Sequence, residues 1–364
     1  MKKASVLLTL LLLASAMVGC NRPAPTPPPG TSAAAQTTAQ TTAPPTTNHD
    51  WQTDTPQNHA VDAVILQKLH EAVQKIDIYS IVIVKDGRLI DEYYKQGYDR
   101  DSVFRFNSCT KSVNTALLGI ALDKGILKSV DTKLTEFFPQ LAGTEKSGIT
   151  LAHLLTHTTG IAWPESGGPM FRDFVSSENW VDFVLAQPMA AKPGARFNYS
   201  TGGSHLLSAV LQQASGQTME TFAREHLANP LGMDSVQWNV DPQGITDGGN
   251  GISMTARDAA RFGQLYLNGG AWNGQRILSE EWVEKSTTPQ SAAQPNSAGY
   301  GYQWWLRKFS GMSGYYAVGH AGQYIVVVPE LSLVAVSTGR FPSGRYPFLD
   351  YFEDYIVKAC TPNA

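Results

Sequence analysis

The sequence predicts an α+β fold: an antiparallel sheet built from both chain ends and flanked by helices, with a mostly helical domain inserted between. Two observations carry this. Strand-like runs fall at 78–94 and again over 302–338, whereas 126–300 reads mostly as helices and loops, with glycines at the helix ends. Strands at both ends with helices between argue that the two ends pair in one sheet, and no internal repeat is found in the 364 residues.

The chain opens with Lys2 and Lys3 ahead of an uncharged run over 4–19 that is rich in Leu, Ala and Val. That run is short of the roughly 20 residues a spanning helix needs, and it reads as a targeting segment. It ends in Met17-Val18-Gly19-Cys20, which resembles the lipobox of bacterial lipoproteins, where cleavage leaves the cysteine as the lipidated first residue. An ordinary secretory signal cut nearby is the alternative. Asn21 follows where Asp would mark inner-membrane retention. Residues 1–20 are therefore expected to be a lipoprotein signal peptide, with Cys20 anchoring the protein in the bacterial cell envelope, on the periplasmic side of the outer membrane. Residues 21–50, rich in Pro, Thr, Ala and Gln, have almost nothing to bury and read as a disordered tether. Its reach runs from about 30 Å as a coil to about 90 Å as polyproline II. The folded domain is expected over 51–364, with its sheet part at about 60–110 and 300–360 and its helical insertion at about 111–299.

The first folded element is expected near Val61, where Val61, Val64, Ile65, Leu69, Ala72, Val73 and Ile76 follow helical spacing. A buried strand follows at 78–84, and Asp86-Gly87 signals a tight hairpin into 89–94. The stretch 107–125 reads as one helix, capped by Asn107 and ended by Gly125 in a left-handed turn. Further helices are expected at 150–156, 177–186, 204–215, 219–228, 256–268 and 279–286, and Thr255-Ala256-Arg257-Asp258 resembles a capping box. Strands return at 302–306, 315–319, 323–328 and 333–338, with a turn at 329–332, and a helix over 346–359 closes the chain. The glycine-, proline- and serine-bearing loops at 161–177 and 287–299 are expected to shape a pocket.

Ser108 and Lys111 stand three apart on the expected helix and share a face. A serine hydroxyl attacks once something takes its proton, and a lysine can do so when burial or a helix N-terminus lowers its pKa. Ser108 at the helix start also has backbone N–H groups nearby for an oxyanion. Tyr199, between a turn and a helix start, is a candidate proton shuttle if a lysine favours its phenolate. Otherwise it is a partly buried tyrosine with a satisfied hydroxyl. In His320-Ala321-Gly322-Gln323, Gly322 would let a ligand approach closely and the Gln323 N–H could point at an oxyanion. His153 and His157 have a zinc-compatible spacing but no third ligand. They are read as holding a turn together, and no metal is expected there. Cys20, Cys109 and Cys360 make no disulfide framework, and Cys109 reads as a small core residue.

Ser108-x-x-Lys111, then Tyr199-Ser200-Thr201, then His320-Ala321-Gly322, in this order, resemble the three motifs of the penicillin-recognising serine hydrolases, in the branch of class C β-lactamases, D,D-peptidases and related esterases and amidases. Ile149–Gly160, Asn229-Pro230-Leu231-Gly232-Met233, Asp247-Gly248-Gly249-Asn250-Gly251 and 300–305 resemble framework segments of the same family, so the likeness covers about 60–358. It implies that Ser108 becomes acylated, that Lys111 and Tyr199 share the proton transfers, that the N–H groups of Ser108 and Gln323 hold the oxyanion, and that no metal or organic cofactor is needed. Gly322, His320 and Thr201 would line the substrate site, between the sheet and the helical part. Two departures bear on the substrate. Thr201 stands where the family usually has Asn, and His320 where β-lactamases usually have Lys; an unperturbed histidine is mostly neutral at pH 7. Both weigh against efficient β-lactam hydrolysis and leave the reaction class intact.

The expected function is a lipid-anchored serine hydrolase that cleaves an ester or amide bond of a small-molecule or peptide-like substrate through an acyl-enzyme on Ser108, with β-lactams and peptides as possible members of that class. The alternative is a penicillin-binding or cell-wall-binding lipoprotein that does not turn over, and a weaker one is a structural lipoprotein. Lys plus Arg number 28 against 31 Asp plus Glu, for a net charge of -3, so no basic surplus points to nucleic acid.

Overall fold

The computed structural model describes residues 50–165, 169–292, 298–341 and 346–361. The expected signal peptide, its Cys20 and the tether up to residue 49 lie outside the described residues. The strands are β1 (Ile78–Lys85), β2 (Arg88–Tyr94), β3 (Val103–Arg105), β4 (Gln237–Trp238), β5 (Ile252–Thr255), β6 (Ala271–Trp272), β7 (Gln275–Arg276), β8 (Gly299–Tyr300), β9 (Trp305–Phe309), β10 (Met312–Gly319), β11 (Gln323–Val328) and β12 (Leu333–Gly339). The main sheet has the order β2-β1-β12-β11-β10-β9-β8 and is antiparallel throughout. The two chain ends meet where β1 pairs with β12, with Val82 opposite Val336.

Side chains alternate across a strand. In β1, Ile81 and Ile83 face one side and Val82 and Val84 the other, and all four are buried. The Ile81 face is covered by the helix Ala63–Val73 and by the closing helix over 348–360, through Leu66, Leu69, Val73, Phe348, Phe352 and Ile356. The Val82 face is covered by the helix Ala256–Leu267 and the helix Thr110–Asp123, through Phe262, Leu265, Val113 and Leu117. Burial on both faces is why the sheet strands read as unbroken apolar runs. At the β1–β2 hairpin, Asp86 (φ 51°) and Gly87 (φ 75°) are both left-handed, as a type I′ turn requires.

Several expectations need correction. Contacts with the fold start ahead of the first element expected near Val61, within the domain expected over 51–364: the Trp51 Nε1–H donates to Arg257 O (3.2 Å), and Gln52 and Asp54 exchange backbone hydrogen bonds with Leu89. Val64 is 60% exposed, and Leu66, Leu69 and Val73 form the buried stripe of its helix. The strand expected at 302–306 starts only at Trp305. Gln303 is left-handed (φ 56°) and turns inward, where Nε2 donates to Ser204 Oγ (3.0 Å). Two strands of a three-stranded sheet, β4 and β5 in the order β3-β5-β4, lie within the supposedly helical stretch, and the helix Met170–Ser176 lies within the expected loop. The capping box is one-sided: Thr255 Oγ1 accepts from the Asp258 N–H, while the Asp258 carboxylate turns to Ser235 and Arg261.

Candidate active site

Ser108 occupies a tight turn, Asn107–Cys109, that leads directly into the helix Thr110–Asp123. Asn107 does not cap that helix. Its backbone is left-handed (φ 47°), a conformation Asn tolerates better than most residues, and its Nδ2 donates to His320 O (2.9 Å). The resulting elbow presents Ser108 to the cavity while residues 110–121 behind it are buried.

One helical turn on, Lys111 is buried, with Nζ 3.0 Å from Ser108 Oγ, 3.0 Å from Thr201 Oγ1 and 2.9 Å from Gly249 O. Burial pushes its pKa down to about 8, with the carboxylates of Glu165 and Asp247 pulling the other way. Ser108 Oγ also donates to Asn250 Oδ1 (2.9 Å). Tyr199 joins them: its ring centroid lies 4.9 Å from Lys111 Nζ, and the ring stacks on Trp305 and packs against His157. Burial pushes the Tyr199 phenol well above its ordinary range, against a hydrogen bond to Ser108 that acts the other way. The neutral phenol is therefore the resting form, and the phenolate considered from sequence is not.

Thr201 opens the helix Thr201–Ser215, which Ser200 caps by accepting from the Gly203 N–H. Its hydroxyl accepts from Lys111 and donates to Glu165 Oε1; Glu165 Oε2 accepts from the Thr201 N–H (2.8 Å) and from Trp163 Nε1–H. Glu165 and Asn250 are residues that sequence reasoning missed as site groups. Asn250 lies in the family-like segment 247–251, where its N–H donates to Asp247 Oδ1 (2.9 Å) and its O accepts from Arg105 Nε (3.2 Å). Glu165 sits in a loop with no motif, 36 residues before its partner Thr201, and no local signal marks it.

The third segment is only partly at the site. His320 lines the cavity, with Nδ1 2.9 Å from Tyr346 Oη. Gly322 and Gln323 are not among the residues that line it. At Gly322 the turn needs φ 100°, and a Cβ there would meet Phe341 at 2.8 Å. Gln323 is buried, and its Nε2 donates to Gly339 O (2.7 Å) and His320 O (3.3 Å). The close approach occurs at Gly319 instead, where a Cβ would stand 2.1 Å from Phe106 O, just before the serine turn. His153 and His157 diverge: Nδ1 of His153 accepts from the Thr150 N–H (3.1 Å) and Nδ1 of His157 from the Ser200 N–H (3.3 Å).

Ser108, Tyr199, Glu165 and Asn250 form one side of a cavity of about 580 Å³, and Phe171, Trp305, Val318, His320 and Tyr346 line the rest with Arg105. The described part of loop 161–177 thus contributes Glu165 and Phe171. Among the described residues no cluster of His, Cys, Asp and Glu is arranged to hold a metal ion, and no helix is long and apolar enough to cross a membrane.

A family model described as Beta-lactamase matches residues 66–352. The chain belongs to the beta-lactamase family. Its relatives there include the 6-aminohexanoate-dimer hydrolase of Paenarthrobacter ureafaciens, 24% identical in a 306-residue alignment that covers 77% of this chain and 77% of that protein. Esterase EstB of Burkholderia gladioli is 29% identical in a 196-residue alignment that covers 48% of this chain and 49% of the esterase. Among solved structures, a putative 6-aminohexanoate-dimer hydrolase from Bacillus anthracis superposes with a TM-score of 0.71 at 21% identity, over 80% of this chain and 81% of that one, and shares the fold. As a member of this family the chain is a serine hydrolase of ester or amide bonds.

Proposed function

We propose that Ser108 is the nucleophile, Lys111 its general base and Tyr199 a neutral phenol that completes the proton path. The observation that carries this is the buried Lys111 Nζ, 3.0 Å from Ser108 Oγ, with a pKa brought down to about 8. When Lys111 is protonated, its three N–H bonds reach Gly249 O, Thr201 Oγ1 and Ser108 Oγ, and the serine proton rests on Asn250 Oδ1. When Lys111 is neutral, the serine proton can turn to Nζ. Oγ then attacks the substrate carbonyl as that proton passes to Lys111, which becomes the ammonium. The oxyanion falls against the Ser108 N–H, which stands in the first turn and has no helical carbonyl to bond. The second donor expected from sequence, the Gln323 N–H, opens β11. Collapse expels the alcohol or amine with a proton returned by Lys111 or Tyr199, and water repeats the cycle on the acyl-enzyme.

The cavity favours an ester or amide with an apolar group. Its walls are aromatic at Phe171, Trp305 and Tyr346, and His320 stands where a lysine would pair with the carboxylate of a β-lactam. The Cys20 anchor and the tether place the enzyme, in this reading, on the periplasmic side of the outer membrane.

Time-resolved intact-mass measurement tests the proposal, with the purified protein mixed with an activated ester or a penicillin and Ser108→Ala run alongside. A transient adduct on the parent alone, decaying with product release and faster for the ester, is the expected result. A lasting penicillin adduct favours the binding-protein alternative, and an adduct on Ser108→Ala removes Ser108 as nucleophile.

A further inference from the structure

A neutral lysine has two N–H bonds and one lone pair, so a lysine base with three polar neighbours works only if the lone pair faces the nucleophile. Two of the three neighbours of Lys111 can be assigned by what they are able to accept or donate. Gly249 O is a carbonyl and takes one N–H (2.9 Å). Thr201 Oγ1 is a hydroxyl, which can either accept from Lys111 or donate to it. Its only proton is committed elsewhere: Thr201 donates to Glu165 Oε1, and a carboxylate oxygen can only accept. Thr201 must therefore accept the second N–H of Lys111 (3.0 Å), and the lone pair is left for Ser108 Oγ (3.0 Å).

We infer that Glu165 is a positioning residue for the reaction: it fixes the direction of the Lys111–Thr201–Glu165 hydrogen-bond chain, and so aims the lone pair of Lys111 at Ser108. The inference rests on the proposal that Lys111 is the base. It gives a task to two residues at once, the threonine that stands in place of the usual asparagine and the carboxylate from an unrelated loop. Glu165 is itself held by the Thr201 N–H and Trp163 Nε1–H on its other oxygen.

That second pair of contacts makes Glu165→Gln a sharp probe. Oε2 of Glu165 has two N–H donors, so the glutamine must keep its oxygen there and place its NH₂ opposite Thr201. The amide then donates to Thr201 Oγ1, and the threonine proton is freed to turn onto the lone pair of Lys111. The chain runs backwards with almost no change of shape. The groups facing Lys111 are Glu165, Asp247 and Cys109, with the ring of Tyr199 and the neutral His157 beyond. Loss of the Glu165 charge leaves Asp247 as the remaining carboxylate that favours the ammonium, so the base titrates at lower pH.

The test is kcat and KM for an activated ester across pH, for the full chain, Glu165→Gln, Thr201→Val and Thr201→Ser, with thermal unfolding of each. Glu165→Gln and Thr201→Val are expected to lose about 100-fold in the kcat plateau, of the order a misaligned group costs, with KM little changed. The acid limb of Glu165→Gln is expected at lower pH than in the parent, and that of Thr201→Val, which keeps the carboxylate, nearer the parent's. Thr201→Ser, which keeps the hydroxyl, is expected to restore kcat to within about 3-fold of the parent. A parent-like plateau in Glu165→Gln, or a Thr201→Ser as impaired as Thr201→Val, overturns the inference. If Glu165→Gln fails to fold, the threonine pair decides, because it leaves Glu165 in place. An inert parent protein defeats the proposal that Lys111 serves Ser108, and the inference with it; an active parent with unaffected variants defeats the inference alone.

Discussion

The two walls of the cavity are built on opposite terms. On the helical side, Ser108, Lys111, Thr201, Glu165 and Asn250 form one continuous hydrogen-bonded set, and Lys111 and Thr201 are each 1% exposed. On the sheet side, His320 is exposed, and one side-chain hydrogen bond joins it to Tyr346, beside apolar Val318 and Trp305. A buried polar network is costly when any member is lost, because each remaining group stays desolvated without its partner. A half-buried, largely apolar wall with an exposed histidine carries no such penalty. In the proposed reading, the chemistry is held where substitution is least tolerated, and substrate choice rests where it is most tolerated.

Changes to the helical wall should separate cleanly from changes to the sheet wall. Ser108→Ala is expected to reduce kcat by at least about 10⁴-fold with an unchanged melting temperature; ester hydrolysis beside a thermal melt checks it, and surviving activity would remove the distinction between the walls. Gly319→Ala comes next. Its new Cβ presses on Phe106 O, displaces the serine turn, and is expected to cost about 100-fold in kcat together with some stability. The pH profile of the parent follows from Lys111: burial holds its pKa at about 8, so the neutral base is lost below that value. On that basis kcat/KM is expected to fall about tenfold per pH unit on the acid side and to level off above pH 8. On the sheet wall, His320→Lys is expected to change ester kcat by less than about 3-fold while raising the rate of penicillin acylation about 10-fold, read by intact mass, since it supplies a cation for the substrate carboxylate. Far from both walls, Arg257→Ala removes the paired contact with Glu92, costs about 1–3 kcal/mol in denaturant unfolding, and leaves kcat alone.

Sequence reading reached the residues whose partners are near in the chain or whose conformation is locally encoded. Ser108 and Lys111 are one helical turn apart, Asp86-Gly87 sets its own hairpin, and β11 is a run of buried apolar residues. It missed residues whose role depends on distant contacts. Glu165 matters because the fold brings its loop to Thr201, and Asn250 because the β5 approach sets it beside Ser108. Asn107 was misread for a related reason: its type suits both a cap and a left-handed turn, and only the contact with His320 O selects the turn. The strand pair β3–β5 escaped because short strands carry too few residues for a period to show.

The segment that starts at Trp51 has a mechanical meaning. Gln52 O and the Asp54 N–H grip the two backbone polar groups of Leu89, and Trp51 is fastened to Arg257 O. Leu89 lies beside Val84, whereas Ser80 at the other end of β1 sits level with Thr338, near the turn that carries His320. This joint lies at the end of the sheet remote from His320, and a pull along the strand direction would load those hydrogen bonds. They bear it in shear, together, instead of opening one at a time.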